Sequence, residues 1–218
     1  MSYNIAIDGP AGAGKSTIAK KIARKLGYIY VDTGAMYRAM ALYLLREKVE
    51  PSETEKINVK CAEADITIGY ENGEQIVYLN GENVNGLIRT EEVGNMASAS
   101  SPNPNVRKKM VELQQKLAAS KDVVMDGRDI GTCVLPDAQV KVYLTADSRV
   151  RAKRRYKELS EKGISCELDT IEKDIIERDK QDMTREISPL KQAEDAVLID
   201  SSDKTIDEVA DAIIALVR

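Results

Sequence analysis

The 218-residue sequence predicts an α/β fold in three layers, a central parallel sheet flanked by helices. Short apolar runs of strand length alternate with longer segments of helical periodicity, as right-handed crossovers between parallel strands require. The first apolar run ends in a glycine-rich turn that opens directly into a helical pattern. One stretch, roughly residues 63–90, breaks the alternation and reads as a small antiparallel β insertion.

Tyr3–Asp8 has the uniform apolar character of a buried strand. Ser16–Leu26 is expected to be a helix with Ile18, Ile22, Ala23 and Leu26 on one face, stopped by Gly27. Tyr28–Val31 is a second short strand and Ala35–Arg46 a second helix. Within the insertion, Ile66–Ile68 and Gln75–Leu79 are strand-like, and Asn72-Gly73 and Asn80-Gly81 are hairpin turn signals. Further strands are expected at Asp122–Met125, Gln139–Leu144 and Ala196–Ile199, and further helices at Val106–Ser120, Ser148–Lys162, Leu168–Lys180 and Ile206–Val217. The chain reads as one domain, 1–218. Its core comprises 1–32, 121–147 and 190–218; residues 33–120 carry the insertion, and 148–189 form a helical segment over the core.

Hydrophobic residues make up 43% and charged residues 31%, a balance that suits a folded globular chain. No histidine is present, which excludes a histidine base or metal ligand. Cys61, Cys133 and Cys166 are too scattered for a zinc site or disulfide framework. No basic-then-apolar leader pattern opens the sequence and no apolar run reaches the length of a membrane span, so a cytoplasmic protein without a membrane partner is expected. A net charge of −4 gives no argument for a nucleic-acid partner.

The segment GPAGAGKS (9–16) fits G-x-x-x-x-G-K-[ST] and lies between a predicted strand and a predicted helix, the context that motif needs. Glycines let backbone N–H groups converge on one anion, and the helix N-terminus adds its positive dipole end. Gly9, Pro10, Ala11, Gly12, Ala13, Gly14, Lys15, Ser16 and Thr17 are therefore the candidate ATP-binding residues. Lys15 would reach the β- and γ-phosphates, and Ser16 would ligate Mg²⁺. A switch GTPase would also need a guanine-reading N-K-x-D; the nearest candidate, Asn58-Val59-Lys60-Cys61, lacks the aspartate. A small kinase fits better, and its acceptor site must lie elsewhere.

Four stretches are candidates. In VDTGAMYR (31–38), Asp32, Thr33 and Gly34 read as a strand-to-helix turn. Arg38 could fork onto a phosphate there with Tyr37 as a donor, although an N-capped helix with a surface arginine reads equally well. In VVMDGRDIGT (123–132), a strand ends at Asp126, a carboxylate placed to hold Mg²⁺ or its waters, and Arg128 and Asp129 follow at the same edge. RVRAKRR (149–155) suits a mobile helical lid closing arginines over a triphosphate, or a plain solvated helix face. ERDKQDMTR (177–185) spaces Arg178, Asp182 and Arg185 by four and three, one helical face, which also suits an intrahelical salt-bridge ladder.

Taken together, GPAGAGKST, DTGAMYR, GNMAS…NVR, DGRDIGT, RAKRR and ERDKQD…R resemble the bacterial cytidylate kinases of the nucleoside monophosphate kinase superfamily, nearly end to end. Adenylate kinases share the glycine loop but lack the insertion and the GRDIGT stretch. The resemblance implies a P-loop fold with a helical lid. It implies transfer of the γ-phosphoryl group of ATP to CMP or dCMP with Mg²⁺, by a monomer whose partners are these small nucleotides. It also implies that residues 33–120 form the acceptor-binding region and 148–189 the lid and arginine helix. Thr33 stands where the family often has Ser. With Tyr37, Arg38 and Arg128 it would contact the acceptor nucleotide, chiefly its phosphate. Ser98, Arg107 and Asp129 would read the cytosine edge, and Arg178 and Asp182 would meet the sugar hydroxyls. Arg185 would bridge acceptor and donor phosphates, making Lys15, Arg128 and Arg185 the catalytic set. Arg151, Arg154 and Arg155 would belong to the ATP lid, and Ser16 and Asp126 would serve the metal. Another small-molecule kinase on the same scaffold, such as one for shikimate, and a nucleotide-dependent switch without turnover are the alternatives.

Overall fold

The computed structural model describes residues 2–217; of the ranges expected above, only positions 1 and 218 fall outside it. Its elements are β1 (Asn4–Asp8), α1 (Lys15–Leu26), β2 (Ile29–Asp32), α2 (Thr33–Arg46), α3 (Thr54–Glu63), β3 (Ile66–Glu71), β4 (Glu74–Leu79), β5 (Glu82–Asn83), α4 (Glu91–Ser100), α5 (Pro104–Ser120), β6 (Val123–Gly127), a π-helical turn over Ile130–Val134, β7 (Val140–Thr145), α6 (Ser148–Glu161), α7 (Leu168–Thr184), β8 (Val197–Asp200) and α8 (Ile206–Ile214). A five-stranded sheet has the order β2-β6-β1-β7-β8, and a three-stranded one the order β3-β4-β5. The β1–β6, β1–β7 and β7–β8 pairs are parallel, while β3–β4 and β4–β5 are antiparallel. The α/β architecture and the antiparallel insertion are those the sequence pattern predicts.

The chain divides into two compact units, residue 2 with 29–121 and residues 3–28 with 122–217. In the second unit, Ile5, Ala6 and Ile7 are fully buried between the equally buried Val124 and Met125 of β6 and Val142 and Leu144 of β7. Ile18, Ala19 and Ile22 of α1 cover this sheet, and α8, with Val209, Ala210 and Ile213 buried, packs against α1. α6 packs on α7 through Ala152, Ile171 and Ile175. In the other unit, α2 packs against α4, and α3 against α5. The Asn72-Gly73 turn joins β3 to β4 with both residues at positive φ, 52° and 79°, and Asn80-Gly81 repeats that pattern. Such mirror-image turns match the twist of hairpin strands.

Most helix limits follow from caps. α2 begins at Thr33 rather than Ala35 because the Asp32 carboxylate accepts the Ala35 amide, so Thr33 and Gly34 lie inside the first turn. Asn103 and Pro104 start α5, and Thr205 with Glu208 forms a reciprocal capping box on α8. α7 runs on past Lys180 to Thr184, and α8 stops at Ile214, short of Val217. β5 completes the insertion, which is bordered by α3 and α4.

Candidate active site

The glycine loop is held tightly. Gly9, Gly12 and Gly14 all have positive φ. A Cβ on Gly9 would lie 1.9 Å from the carbonyl oxygen of Leu144, so only glycine fits between β1 and β7 at this point. Lys15 and Ser16 open α1 behind it. The buried Lys15 ammonium donates to the Pro10 carbonyl at 2.7 Å. Burial, reinforced by the Arg128 guanidinium, pushes its pKa down to about 7, against the opposing pull of Asp126, Asp8 and Asp182. The Ser16 hydroxyl donates to Asp126 Oδ2 at 2.9 Å, across from the end of β6. Among the described residues no group of three or more His, Cys, Asp or Glu side chains gathers at a metal-binding distance. The Ser16–Asp126 pair nevertheless offers two adjacent hard oxygens, which fits Mg²⁺, a cation that usually keeps several of its waters.

Asp8, the last residue of β1, is a site residue that sequence reasoning missed. Its two carboxylate oxygens accept the amides of Ile130 and Gly131 at 2.8 and 2.7 Å. Burial raises its pKa to about 6, the two amide hydrogen bonds oppose that shift, and Asp129 adds to it. The residue stands directly before the glycine motif, the one available signal.

The arginines of α6 divide. Arg151 is buried: its Nη1 donates to the Ala11 carbonyl and its Nε to the Ala146 carbonyl, each at 2.9 Å, and Nη2 pairs with Asp179 of α7 at 2.6 Å. Arg154 donates to the Ser201 carbonyl at 2.6 Å and to Ala13 at 3.5 Å, while the Ser201 hydroxyl itself donates to Ala13 at 3.1 Å. These two side chains brace the loop backbone. Arg155 is half-exposed, pairs with Glu158 at 2.8 Å, and lies near enough to Arg178 to oppose its charge.

Arg128, Asp129, Arg178, Asp182 and Arg185 come together in the same unit. Arg128 Nε pairs with Asp182 Oδ2 at 2.7 Å, and Arg185 lies 3.6 Å from Asp129 and 3.7 Å from Asp182. Burial, with Arg128 beside it, lowers the pKa of Arg178. The expected single helical face holds for Arg178 and Asp182 only. Arg185 is the residue after α7, its backbone extended at ψ 142°, and its Nε donates to the Ser188 carbonyl at 2.6 Å.

In the other unit, Tyr37 and Arg107 meet: the Arg107 guanidinium carbon is 5.7 Å from the ring centroid. Arg107, from α5, is buried, and Arg38, one residue beyond Tyr37 on α2, is partly so. Thr33 is buried at the start of α2, and Ser98 is half-buried on α4. Asp32 pairs with Arg89 at 2.6 Å. Gln75 of β4 brackets the Asp32 backbone, accepting its N–H at 2.8 Å and donating to its carbonyl at 3.2 Å. Neither Arg89 nor Gln75 belongs to a recognisable motif.

A glycine loop braced between the first strand and first helix of a parallel sheet, with a lysine and a hydroxyl–carboxylate pair behind it, defines the class of P-loop phosphate-binding proteins. Solved structures share this fold: a shikimate kinase from Bacteroides thetaiotaomicron (TM-score 0.51, 14% identity, 98% of this chain and 97% of that one) and a gluconokinase from Sinorhizobium meliloti (TM-score 0.50, 14% identity, 99% and 91%). The family model described as cytidylate kinase matches residues 5–218. Relatives named cytidylate kinase include those of Caldicellulosiruptor saccharolyticus (52% identical, 98% of this chain and 94% of the relative), Shouchella clausii (47%, 99% and 96%) and Bacillus subtilis (48%, 99% and 96%). The chain belongs to the cytidylate kinase family, and it is a phosphotransferase.

Proposed function

We propose that the protein transfers the γ-phosphoryl group of ATP to CMP or dCMP, yielding ADP and CDP or dCDP. The observation that carries this reading is the convergence of Lys15, Arg128, Arg178 and Arg185 with the Ser16–Asp126 pair behind the glycine loop. The attacking atom is a phosphate oxygen whose group has a second pKa near about 6, so it is mostly dianionic at neutral pH. No general base is required, which accords with a chain lacking histidine. The chemistry needs charge neutralisation as two polyanions meet in line. Lys15 and the loop amides would hold the donor phosphates, Arg38 and Arg128 the acceptor phosphate, and Arg185 the group in transit. Mg²⁺, held by Ser16 and Asp126, would offset charge on the β- and γ-phosphates.

Thr33 and Tyr37 would add hydrogen bonds to the acceptor, and Arg178 and Asp182 would take its sugar hydroxyls. Arg151 and Arg154 would act on ATP by shaping the loop backbone, and Arg155 by its charge. For the base, Asp129 would accept from the cytosine amino group while Ser98 and Arg107 donate to its ring acceptors. Uracil would turn a carbonyl toward that carboxylate. The test is ADP release with CMP, dCMP, UMP and AMP as acceptors. The highest kcat/KM is expected for the two cytidine nucleotides; equal or greater turnover of AMP, or none without shikimate, would refute the reading.

A further inference from the structure

Asp8 has no role in the reaction as just described, yet its carboxylate holds two backbone amides of the site. Its main chain lies in register with Gly127, the last residue of β6. Its side chain reaches past that point and takes the amides of Ile130 and Gly131. One residue thus fixes the chain on both sides of a two-residue span, Arg128 and Asp129. The amides it accepts need an outside partner. The π-helical turn satisfies its later N–H groups internally, Cys133 and Val134 bonding to the Asp129 carbonyl and Leu135 to that of Ile130, but leaves its first ones without such partners. Asp8 is 4% exposed, so water cannot readily replace it.

We infer that Asp8 is a positioning residue for base selection: by holding Ile130 and Gly131 it sets where Asp129 stands, and so how well the site distinguishes CMP from UMP. The inference rests on the reading of Asp129 as the cytosine-contacting carboxylate. Both carboxylate oxygens accept, which explains the residue type. In an asparagine one position becomes an NH₂ that faces an N–H, and a glutamate keeps both acceptors on an arm one methylene too long.

Asp8→Asn decides the matter, with kcat/KM for CMP and UMP, KM for ATP, and hydrogen exchange across 127–135 as readouts. The expected result is a fall in the CMP/UMP ratio of about fivefold or more, with a much smaller change in KM for ATP and faster exchange at Ile130 and Gly131. A merely structural role would lower both kcat/KM values in proportion. An unchanged ratio, with or without faster exchange, overturns the inference. If Asp8→Asn does not fold, Asp8→Glu is judged by the same ratio. Asp129→Ala, measured alongside, separates the two claims. Should it leave the ratio unchanged, the cytosine-reading assignment fails; should it alter the ratio while Asp8→Asn does not, only the present inference fails.

Discussion

Lys15 is held well below the ordinary lysine pKa. Burial, with Arg128 beside it, pushes the value down to about 7. Burial and Arg128 disfavour the charged form, and a triphosphate beside Nζ would favour it. ATP binding should therefore be coupled to proton uptake by Lys15, the more so as pH rises through neutrality toward about pH 8. Calorimetric titration in buffers of different ionisation enthalpy measures this. Lys15→Arg, charged throughout, should lack that uptake, and an identical proton balance in both proteins would count against the assignment. Arg185 differs in kind: it donates to the Ser188 carbonyl and approaches Asp129 and Asp182, and the proposed reaction has it meet the group in transit. Arg185→Ala should lower kcat by about 10²–10³ while changing KM for ATP only slightly. Losses shared equally between the two would deny it a transition-state role. At this scale the motifs made Lys15, Arg128 and Asp129 legible. Asp8 was not, because its partners lie 122 and 123 positions away and no local pattern announces them.

At the scale of elements, α6 and α7 act on the loop through one buried ion pair. Arg151 joins the Ala11 carbonyl to Asp179, and Asp179 neighbours Arg178 on α7. Asp179→Ala would leave a guanidinium buried without its carboxylate. It should destabilise the fold by about 3–5 kcal/mol, read by denaturant unfolding, and a double-mutant cycle with Arg151→Ala should return a large coupling energy. A loss near zero would show that the pair is dispensable. The charge run at 149–155 was visible in the sequence, but periodicity cannot say which of its arginines turns inward. That choice was made by the packing of Ala152 against Ile171 and Ile175. The hairpins were legible from Asn72-Gly73 and Asn80-Gly81, whereas Gln75 looks like any polar residue in an alternating strand until its bracket on Asp32 is seen.

For the whole molecule, the net charge of −4 says nothing of the lysine and arginines that gather behind the glycine loop, interleaved with aspartates. Raising salt from about 0.1 M to about 1 M shortens the screening length from about 10 Å to about 3 Å. KM for CMP should rise over that range more than kcat falls, because approach through solvent is screened while buried pairs are screened less. A kcat loss as large as the KM change would place the electrostatics elsewhere. Fold class was legible because strand-length apolar runs and helical periodicity alternate along most of the chain; the π-helical turn was not, since its form depends on a carboxylate from another strand. The central place of β1 between β6 and β7 has one more consequence. During synthesis at about 5–20 residues per second, that first strand must wait on the order of ten seconds before either neighbour leaves the ribosome. Residues 29–121 emerge meanwhile as an unbroken stretch with a core of their own, so β1 stays without its sheet partners while another part of the chain can already pack.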